Sequence, residues 1–293
     1  MAESPSSPAT PLGAHMSIAG GYYRAVDAAA DLAMDCVQVF TKQNARWAAK
    51  AITSEQADKF RQSLAEHQIR HSLSHASYLI NLGSPDEELR IKSRDALVVE
   101  LQRASQLGIP YVVFHPGSYT TASEAEGVAH IIQALDEIEA QTGELDSQLL
   151  LENTAGQGSN LGWSFEQLAD ILQGVRSRER LGVCIDTCHL FAAGHALETA
   201  QEYADTMERL DQAIGLATVK AFHLNDSKTD FGSRKDRHEH IGQGKMGLEP
   251  FRHLLNDPRF VSLPKYLETE KGTNDEGEDF DAMNLRTLRS LIR

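Results

Sequence analysis

The chain of 293 residues is short of cysteine, basic charge and long apolar runs, and each shortage excludes a class of protein. Cys36, Cys184 and Cys188 are too few, and odd in number, for a disulfide scaffold. All three sit in or beside apolar strand-like text, which reads as buried, reduced thiols of a cytoplasmic protein. Cys184 and Cys188 also lack the spacing and partner pair of a structural zinc site. No apolar stretch approaches the ~20 residues of a membrane-spanning helix. Lysine and arginine number 28 against 42 acidic residues, a formal charge of −14, which weighs against a nucleic-acid partner. Bound divalent cations would offset part of that charge, and basic residues gathered on one face would soften the argument further. No Walker motif, serine nucleophile elbow or Cys/His dyad is present. The glycines from Gly156 to Gly162 lie in a loop outside any dinucleotide-binding context.

What is present is an alternation of strand text and helix text, the pattern of an α/β protein with parallel strands. Apolar runs lie around 12–18, 36–41, 71–76, 110–116, 148–153, 181–187, 218–225 and 264–269. Helix starts are legible between them. Thr53 with Gln56, Ser123 with Glu126, Ser164 with Gln167 and Thr199 with Glu202 have capping-box spacing. Ser84-Pro85-Asp86-Glu87 reads as a cap, a proline at the first helical position and an acidic first turn. Gly108 and Gly143 mark helix ends. Eight evenly spaced strand–helix units favour a single closed (β/α)8 TIM barrel over a doubly wound open sheet. Residues 1–12, rich in Ala, Ser and Pro, are expected to form a disordered N-terminal extension rather than a signal peptide. The barrel is then expected over 13–293, with Gly13-Ala14-His15-Met16 as native sequence. The acidic stretch from Asp275 to Asp279 reads as a solvated loop and helix start.

The apolar runs end repeatedly in a residue able to bind metal: His75, His115, Glu152, Asp186, His223 and Glu268. One such histidine is ordinarily a satisfied, half-buried side chain, but several at one structural level imply a shared cluster on a barrel rim. A carboxylate closing a buried strand is costly unless it is paired or metal-bound. The bland alternative is a salt bridge, yet no basic residue shares those strand ends, apart from Lys265 and Lys271 near Glu268. Asp186-Thr187-Cys188-His189 places His189 three residues after Asp186, and Asp236-Arg237-His238 can deliver two ligands to one ion from a turn. Alone, that turn is an ordinary solvated loop; beside His189 it completes a further site. Imidazole with carboxylate suits zinc, manganese and iron. Basic residues recur in the loops after strands, at Lys42, Arg46, Lys228, Arg234, Lys235, Arg237, Lys245 and Lys271. Any one is most simply a solvated rim residue; together they offer phosphate contacts. Tyr78 and Leu79 follow His75 and have the character of a wedge between stacked bases, or of ordinary packing.

These residues resemble the endonuclease IV family, the zinc-dependent apurinic/apyrimidinic endonucleases of AP endonuclease family 2. The resemblance runs from about Gly13 to Glu268. It is carried by Gly13-Ala14-His15, His75 to Leu79, Phe114 to Ser118, Glu152 to Gly158, Cys184 to His189, His223 to Lys228, and Asp236 to His238. It implies a (β/α) barrel holding three Zn2+ ions, with Mn2+ an alternative at one or more sites. His75, His115 and Glu152 would bind the first. Glu152 would bridge to the second, joined by Asp186, His223 and Glu268. His189, Asp236 and His238 would hold the third. Glu152, as the metal-bridging carboxylate, is the implied catalytic residue. The family drives rim side chains into duplex DNA, and Tyr78 and Leu79 match those positions. The family's inserting arginine falls at Ala45, so Arg46, one residue later, is the substitute. Lys228, Arg234 and Arg237 complete the implied DNA contacts.

The implied activity is that of deoxyribonuclease IV (phage-T4-induced type), a hydrolase of phosphodiester bonds in base excision repair. It would cut 5′ to an abasic site in duplex DNA, leaving a 3′-hydroxyl and a 5′-deoxyribose phosphate, and would also remove 3′-blocking groups. The enzyme would act as a cytoplasmic monomer with no membrane partner, flipping the abasic nucleotide into its pocket and losing affinity steeply with salt. The main rival is a divalent-metal sugar isomerase or epimerase, which resembles this chain in Glu152, Asp186, His223 and Glu268 alone. Such an enzyme has no need of His75, His115, His189, Asp236 and His238. A non-catalytic lesion binder would keep the basic loops without the complete ligand set.

Overall fold

The computed structural model describes residues 10–293. Eight parallel strands form its centre: β1 (Leu12–His15), β2 (Cys36–Phe40), β3 (His71–His75), β4 (Tyr111–Phe114), β5 (Gln148–Glu152), β6 (Leu181–Asp186), β7 (Val219–His223) and β10 (Lys265–Leu267). They close on themselves, with pairing order β1-β10-β7-β6-β5-β4-β3-β2. A rim hairpin, β8 (Asp226–Ser227) with β9 (His238–Glu239), is antiparallel and separate from the barrel. Around the strands run α1 (Tyr22–Asp31), α2 (Ser54–Glu66), α3 (Glu87–Leu107), α4 (Glu124–Thr142), α5 (Phe165–Gly174), α6 (Thr187–Ala193), α7 (Ala200–Ile214), α8 (Glu249–Leu255) and α9 (Phe280–Leu291). This is the TIM barrel expected from the alternation of strand and helix text.

The period-two geometry of a strand divides its side chains between two cores. One set, including Val37, Val112, Leu149, Leu151, Val183 and Phe222, packs with the helices in the large outer core. The other set, Cys36, Leu73, Val113, Leu150, Cys184, Ala221 and Tyr266, forms a separate cluster with one residue from each of seven strands. Gly13 holds the corresponding place on β1. A Cβ there would lie 1.8 Å from the Cys36 carbonyl oxygen, so only glycine fits between the two strands. This cluster is the packed floor of the barrel.

Local signals set most helix ends. Thr53, Ser123 and Thr199 each form a reciprocal capping box with the residue three positions on. Ser164 accepts from the Gln167 amide, but the box is one-sided: Gln167 Oε1 instead accepts from Gly162 N at 2.7 Å and Trp163 N at 3.3 Å. α3 begins later than the Ser84-Pro85 text suggests. Asp86 is the cap, accepting from Leu89 N, while Ser84 Oγ holds the Asp86 amide in the preceding turn. Gly108 ends α3 in the left-handed conformation (φ 76°) that glycine adopts without strain. Gly143 ends α4 in right-handed geometry.

The N-terminal boundary also moves. Thr10, Pro11 and Leu12 are buried, and Leu12 opposes Lys265 as the first residue of β1. The expected extension over 1–12 therefore gives up its last residues to the barrel; its remainder, 1–9, lies outside the described residues. No helix among the described residues is long and apolar enough to cross a membrane.

Candidate metal centre

Two residues beyond each floor residue, the same strand register brings a side chain to the C-terminal mouth of the barrel. Gly13 leads to His15, Cys36 to Gln38, Leu73 to His75, Val113 to His115, Leu150 to Glu152, Cys184 to Asp186, Ala221 to His223 and Tyr266 to Glu268. Six of these eight are residues the sequence offers as ligands. They meet because they share one level of one barrel.

Glu152, fully buried, lies at the hub. Its Oε2 is 3.1 Å from His75 Nε2 and 3.0 Å from His115 Nε2. Its Oε1 is 2.9 Å from His223 Nδ1 and 3.5 Å from His189 Nδ1. Glu268 Oε2 reaches His223 Nδ1 at 3.2 Å. His75, His115 and Glu152 form one group of converging ligand atoms, and Glu152, Asp186, His223 and Glu268 form a second. Glu152 belongs to both.

A third group is His189, Asp236 and His238. Asp186 ends β6 and caps α6, accepting from the His189 amide at 2.8 Å, which sets His189 on the first turn facing the mouth. The β8–β9 hairpin brings His238 back across the rim beside Ser227. Asp236 then bridges the two imidazoles, with Oδ2 3.2 Å from His189 Nε2 and Oδ1 3.3 Å from His238 Nε2. Cys188 Sγ also converges with Asp186 and His238. Burial pushes its thiol up to about 12, so it enters as a neutral group.

Supporting contacts hold the ring nitrogens. His75 Nδ1 is 2.7 Å from the Ala76 carbonyl, His189 Nδ1 2.8 Å from the Asn153 carbonyl, and His238 Nδ1 3.2 Å from the Glu268 carbonyl. An N–H donated there turns Nε2 into the cage, where it pairs with a carboxylate when protonated and offers its lone pair to a metal when not, the ordinary orientation of metal-binding imidazoles. Asn225 Nδ2 donates to Asp186 Oδ2 at 2.6 Å, and Asn153 Oδ1 accepts from the Asp186 amide at 2.7 Å. Nearby residues outside the expected ligand set thus build much of the support. Asn153 follows Glu152 directly and Asn225 lies two after His223, so ligand-adjacent position was the available signal. His15 had its place in the Gly13-Ala14-His15 motif, and Gln38 only its strand register.

The electrostatics are those of a site assembled for cations. Burial disfavours every charge here, yet the His223 and His115 charges and hydrogen bonds hold Glu152 well below the usual carboxylate range. Burial likewise opposes ionisation of Glu268, but the His223 and His75 charges bring it to about 2. Asp236 is held below its usual range against burial, first by the charge of His189 and then by His238. Against burial, His75 rises to about 9 through its Glu152 hydrogen bond and the charges of Glu268 and Glu152. His238 also rises to about 9 against burial, through Asp186 and Asp236. Burial alone dominates His15, which falls to about 3.

Among the described residues no lysine or arginine pairs with Glu152, Asp186, Asp236 or Glu268. The salt-bridge alternative is therefore absent there. His189 Nε2 and His238 Nε2 are buried and approach Asp236 oxygens at 3.2 and 3.3 Å without hydrogen-bond geometry. Buried imidazole nitrogens facing carboxylates that have no lysine or arginine partner fit divalent cations of the zinc and manganese type.

The rim residues divide. Tyr78 is 59% exposed and overhangs the mouth, its ring 5.3 Å from His75 and 6.1 Å from His115. Leu79 is half-buried behind it. Ser77 Oγ donates to the Asn44 carbonyl, tying this turn to the loop carrying the exposed Arg46. Arg237 is exposed and lies by Gln157, Lys228 is exposed beside Glu270, and Arg234 stacks 3.9 Å over Trp163. Two other basic candidates are engaged internally: Lys42 is buried against Glu100 at 3.1 Å, and Lys271 pairs with Asp281 at 2.6 Å. A cleft of about 190 Å³ lies beside His75 and His115, reaching Ser118, Thr154 and Asn160.

Fold and site together define an α/β barrel with a clustered His/Asp/Glu cage at its mouth, and residues 26–289 match the family model of the xylose isomerase-like TIM barrel. The chain is 47% identical over 280 residues to "Probable endonuclease 4" of Trichlorobacter lovleyi, covering 96% of this chain and 99% of that one. It is likewise 47% identical to "Probable endonuclease 4" of Chloroflexus aurantiacus, covering 96% and 98%. The crystal structure of endonuclease IV from Thermus thermophilus aligns with a TM-score of 0.84 at 37% identity, covering 96% and 98%. This chain belongs to the endonuclease IV family. A D-tagatose 3-epimerase-like protein shares the fold, with a TM-score of 0.72 at 18% identity and 96% of each chain covered.

Proposed function

We propose that this chain is a zinc-dependent endonuclease of base excision repair that hydrolyses the phosphodiester bond 5′ to abasic sites in duplex DNA. Its products are a 3′-hydroxyl and a 5′-deoxyribose phosphate, and it also removes 3′-blocking groups. The observation that carries this reading is the three-group cage centred on Glu152, whose carboxylates face imidazoles and have no lysine or arginine partner. The names carried by relatives 47% identical over nearly the whole chain support it.

Three Zn2+ ions, with Mn2+ admissible, would be held by His75, His115 and Glu152; by Glu152, Asp186, His223 and Glu268; and by His189, Asp236 and His238. When bound, such a cluster supplies Lewis acidity at the scissile phosphate and an activated water. Glu152 turns one oxygen to the His75–His115 pair and the other to His223, so it fixes the spacing of the first two groups. Asp236 positions His189 and His238 as a separate unit on the rim. Tyr78 and Leu79 enter the duplex beside the lesion, where a missing base lowers the cost of extrusion. Arg46, Lys228, Arg234 and Arg237 contact the DNA backbone, and Arg46 serves in place of an arginine at Ala45. The protein acts as a cytoplasmic monomer.

A sugar isomerase or epimerase would use Glu152, Asp186, His223 and Glu268 alone. It leaves His75, His115, His189, Asp236 and His238 without a role. The test is a duplex carrying one tetrahydrofuran abasic analogue, which cannot undergo β-elimination. Cleavage 5′ to the analogue with a 3′-hydroxyl end is the expected result. An uncut duplex with fully metal-loaded protein would rule the endonuclease reading out and direct attention to ketose and aldose substrates.

A further inference from the structure

Three cage imidazoles are oriented by main-chain carbonyls, at Ala76, Asn153 and Glu268. His223 is held differently. Its Nε2 lies 2.7 Å from Gln38 Oε1, and its Nδ1 faces Glu152 Oε1 at 2.9 Å and Glu268 Oε2 at 3.2 Å.

The neighbours of Gln38 fix which way its amide points. Nε2 lies 2.5 Å from Glu268 Oε1 and 2.9 Å from His15 Nδ1. A flipped amide would set its oxygen against the Glu268 carboxylate, so the nitrogen belongs on that side. Both amide hydrogens are then used, one on Glu268 and one on His15. The amide oxygen can only accept. His223 therefore donates Nε2–H to it, which leaves Nδ1 as the nitrogen turned into the cage and free to give its lone pair to a metal there. Gln38 is fully buried, and the His15 ring packs on Phe40 with centroids 4.2 Å apart, so the arrangement has little room to rotate.

We propose that Gln38, braced by His15, is a positioning residue of the metal centre. It selects the His223 tautomer and orients Glu268, and so sets the affinity of the Glu152–Asp186–His223–Glu268 group. The proposal deepens the three-metal reading of the cage and rests on it. It concerns the two positions of the mouth layer, on β1 and β2, that supply no ligand in that reading.

The experiment compares full-length wild type with Gln38→Met, an uncharged side chain of similar length, and with His15→Phe. Zinc affinities are read by chelator competition and the histidine ring protons by NMR of zinc-loaded protein. Wild type is expected to hold three ions, with a slowly exchanging Nε2 proton on His223. Gln38→Met should weaken one ion by about 10–100-fold, leave the other two within about twofold, and lose that protection. His15→Phe should weaken the same ion less. A His223 protonated at Nδ1 in wild type would overturn the proposal without any variant, even if Gln38→Met failed to fold. Unchanged affinities in a folded Gln38→Met would overturn it too. Wild type that binds no ion, or only one, would contradict the three-metal reading itself, and the Gln38 role with it.

Discussion

The floor and the mouth of this barrel are built on the same strands, two residues apart, and they obey opposite rules. At the floor, Cys36, Leu73, Val113, Leu150, Cys184, Ala221 and Tyr266 pack against one another with almost no polar atoms. At the mouth, the same register gives His15, Gln38, His75, His115, Glu152, Asp186, His223 and Glu268, a ring of polar and ionisable groups of which His15, His115 and Glu268 are half-buried and the rest buried. The floor derives its stability from exclusion of water. The mouth, without a divalent cation, balances its three carboxylates, and Asp236 on the rim, with protonated imidazoles. One layer therefore sets stability and the other function, and substitutions in the two should separate those properties.

The largest separation is expected at the Glu152–Leu150 pair. Glu152→Gln removes the oxygen charge shared by two ligand groups. Incision should fall by about a thousandfold, the scale for losing a preorganised charged contact, and bound zinc should drop below the wild-type count. Near-normal incision with full zinc would break the assignment. Leu150→Ala, two residues away, opens a cavity in the floor and should cost about 2–5 kcal/mol in urea unfolding. The folded fraction should keep wild-type turnover per bound metal. A turnover loss larger than the loss of folded protein would show that the two layers are not separable.

Within the mouth, depth should grade the response. Asp236 lies on the rim hairpin and serves only the third group. Asp236→Asn should release one ion and lower incision by about 10–100-fold; loss of all the metal would mean that the groups are not independent.

Removing the metal should expose the smallest effect, a pH dependence of stability. In chelator-stripped protein His75 and His238 hold their protons to about pH 9, above the ordinary 6.5. Their stabilising contribution is complete below pH 6.5 and lost as pH rises through 9. Glu268, lowered from 4.5 to about 2, contributes above pH 4.5 and loses its contribution as pH falls towards 2. Thermal unfolding of the stripped protein should peak between pH 4.5 and 6.5 and decline by pH 9, and zinc should remove the alkaline decline. A stripped protein equally stable at pH 6 and pH 9 would contradict the coupling.

The sequence made the barrel legible because most strands are apolar runs that end at or just before an ionisable residue, and because boxes at Thr53, Ser123 and Thr199 are local devices. It failed where the deciding partner was not local. Gln167 turned away from Ser164 to hold the loop at Gly162. The start of α3 was set by Asp86 rather than by the Ser84-Pro85 text. Six of the nine ligand-type residues were legible as types at strand ends and the other three as His189 after Asp186 and the Asp236–His238 turn, and the barrel brings them into three groups. Gln38 carries no such type and shows its place only through register across β1, β2, β7 and β10. Lys42 looked like a phosphate contact because its partner, Glu100, lies 58 residues along the chain on α3.

The most direct test of the central claim is anomalous diffraction at the zinc edge from crystals of the zinc-loaded protein. The account predicts three peaks: one among His75, His115 and Glu152, one among Glu152, Asp186, His223 and Glu268, and one among His189, Asp236 and His238. A single peak in the second group, with the other histidines free of metal, would contradict it.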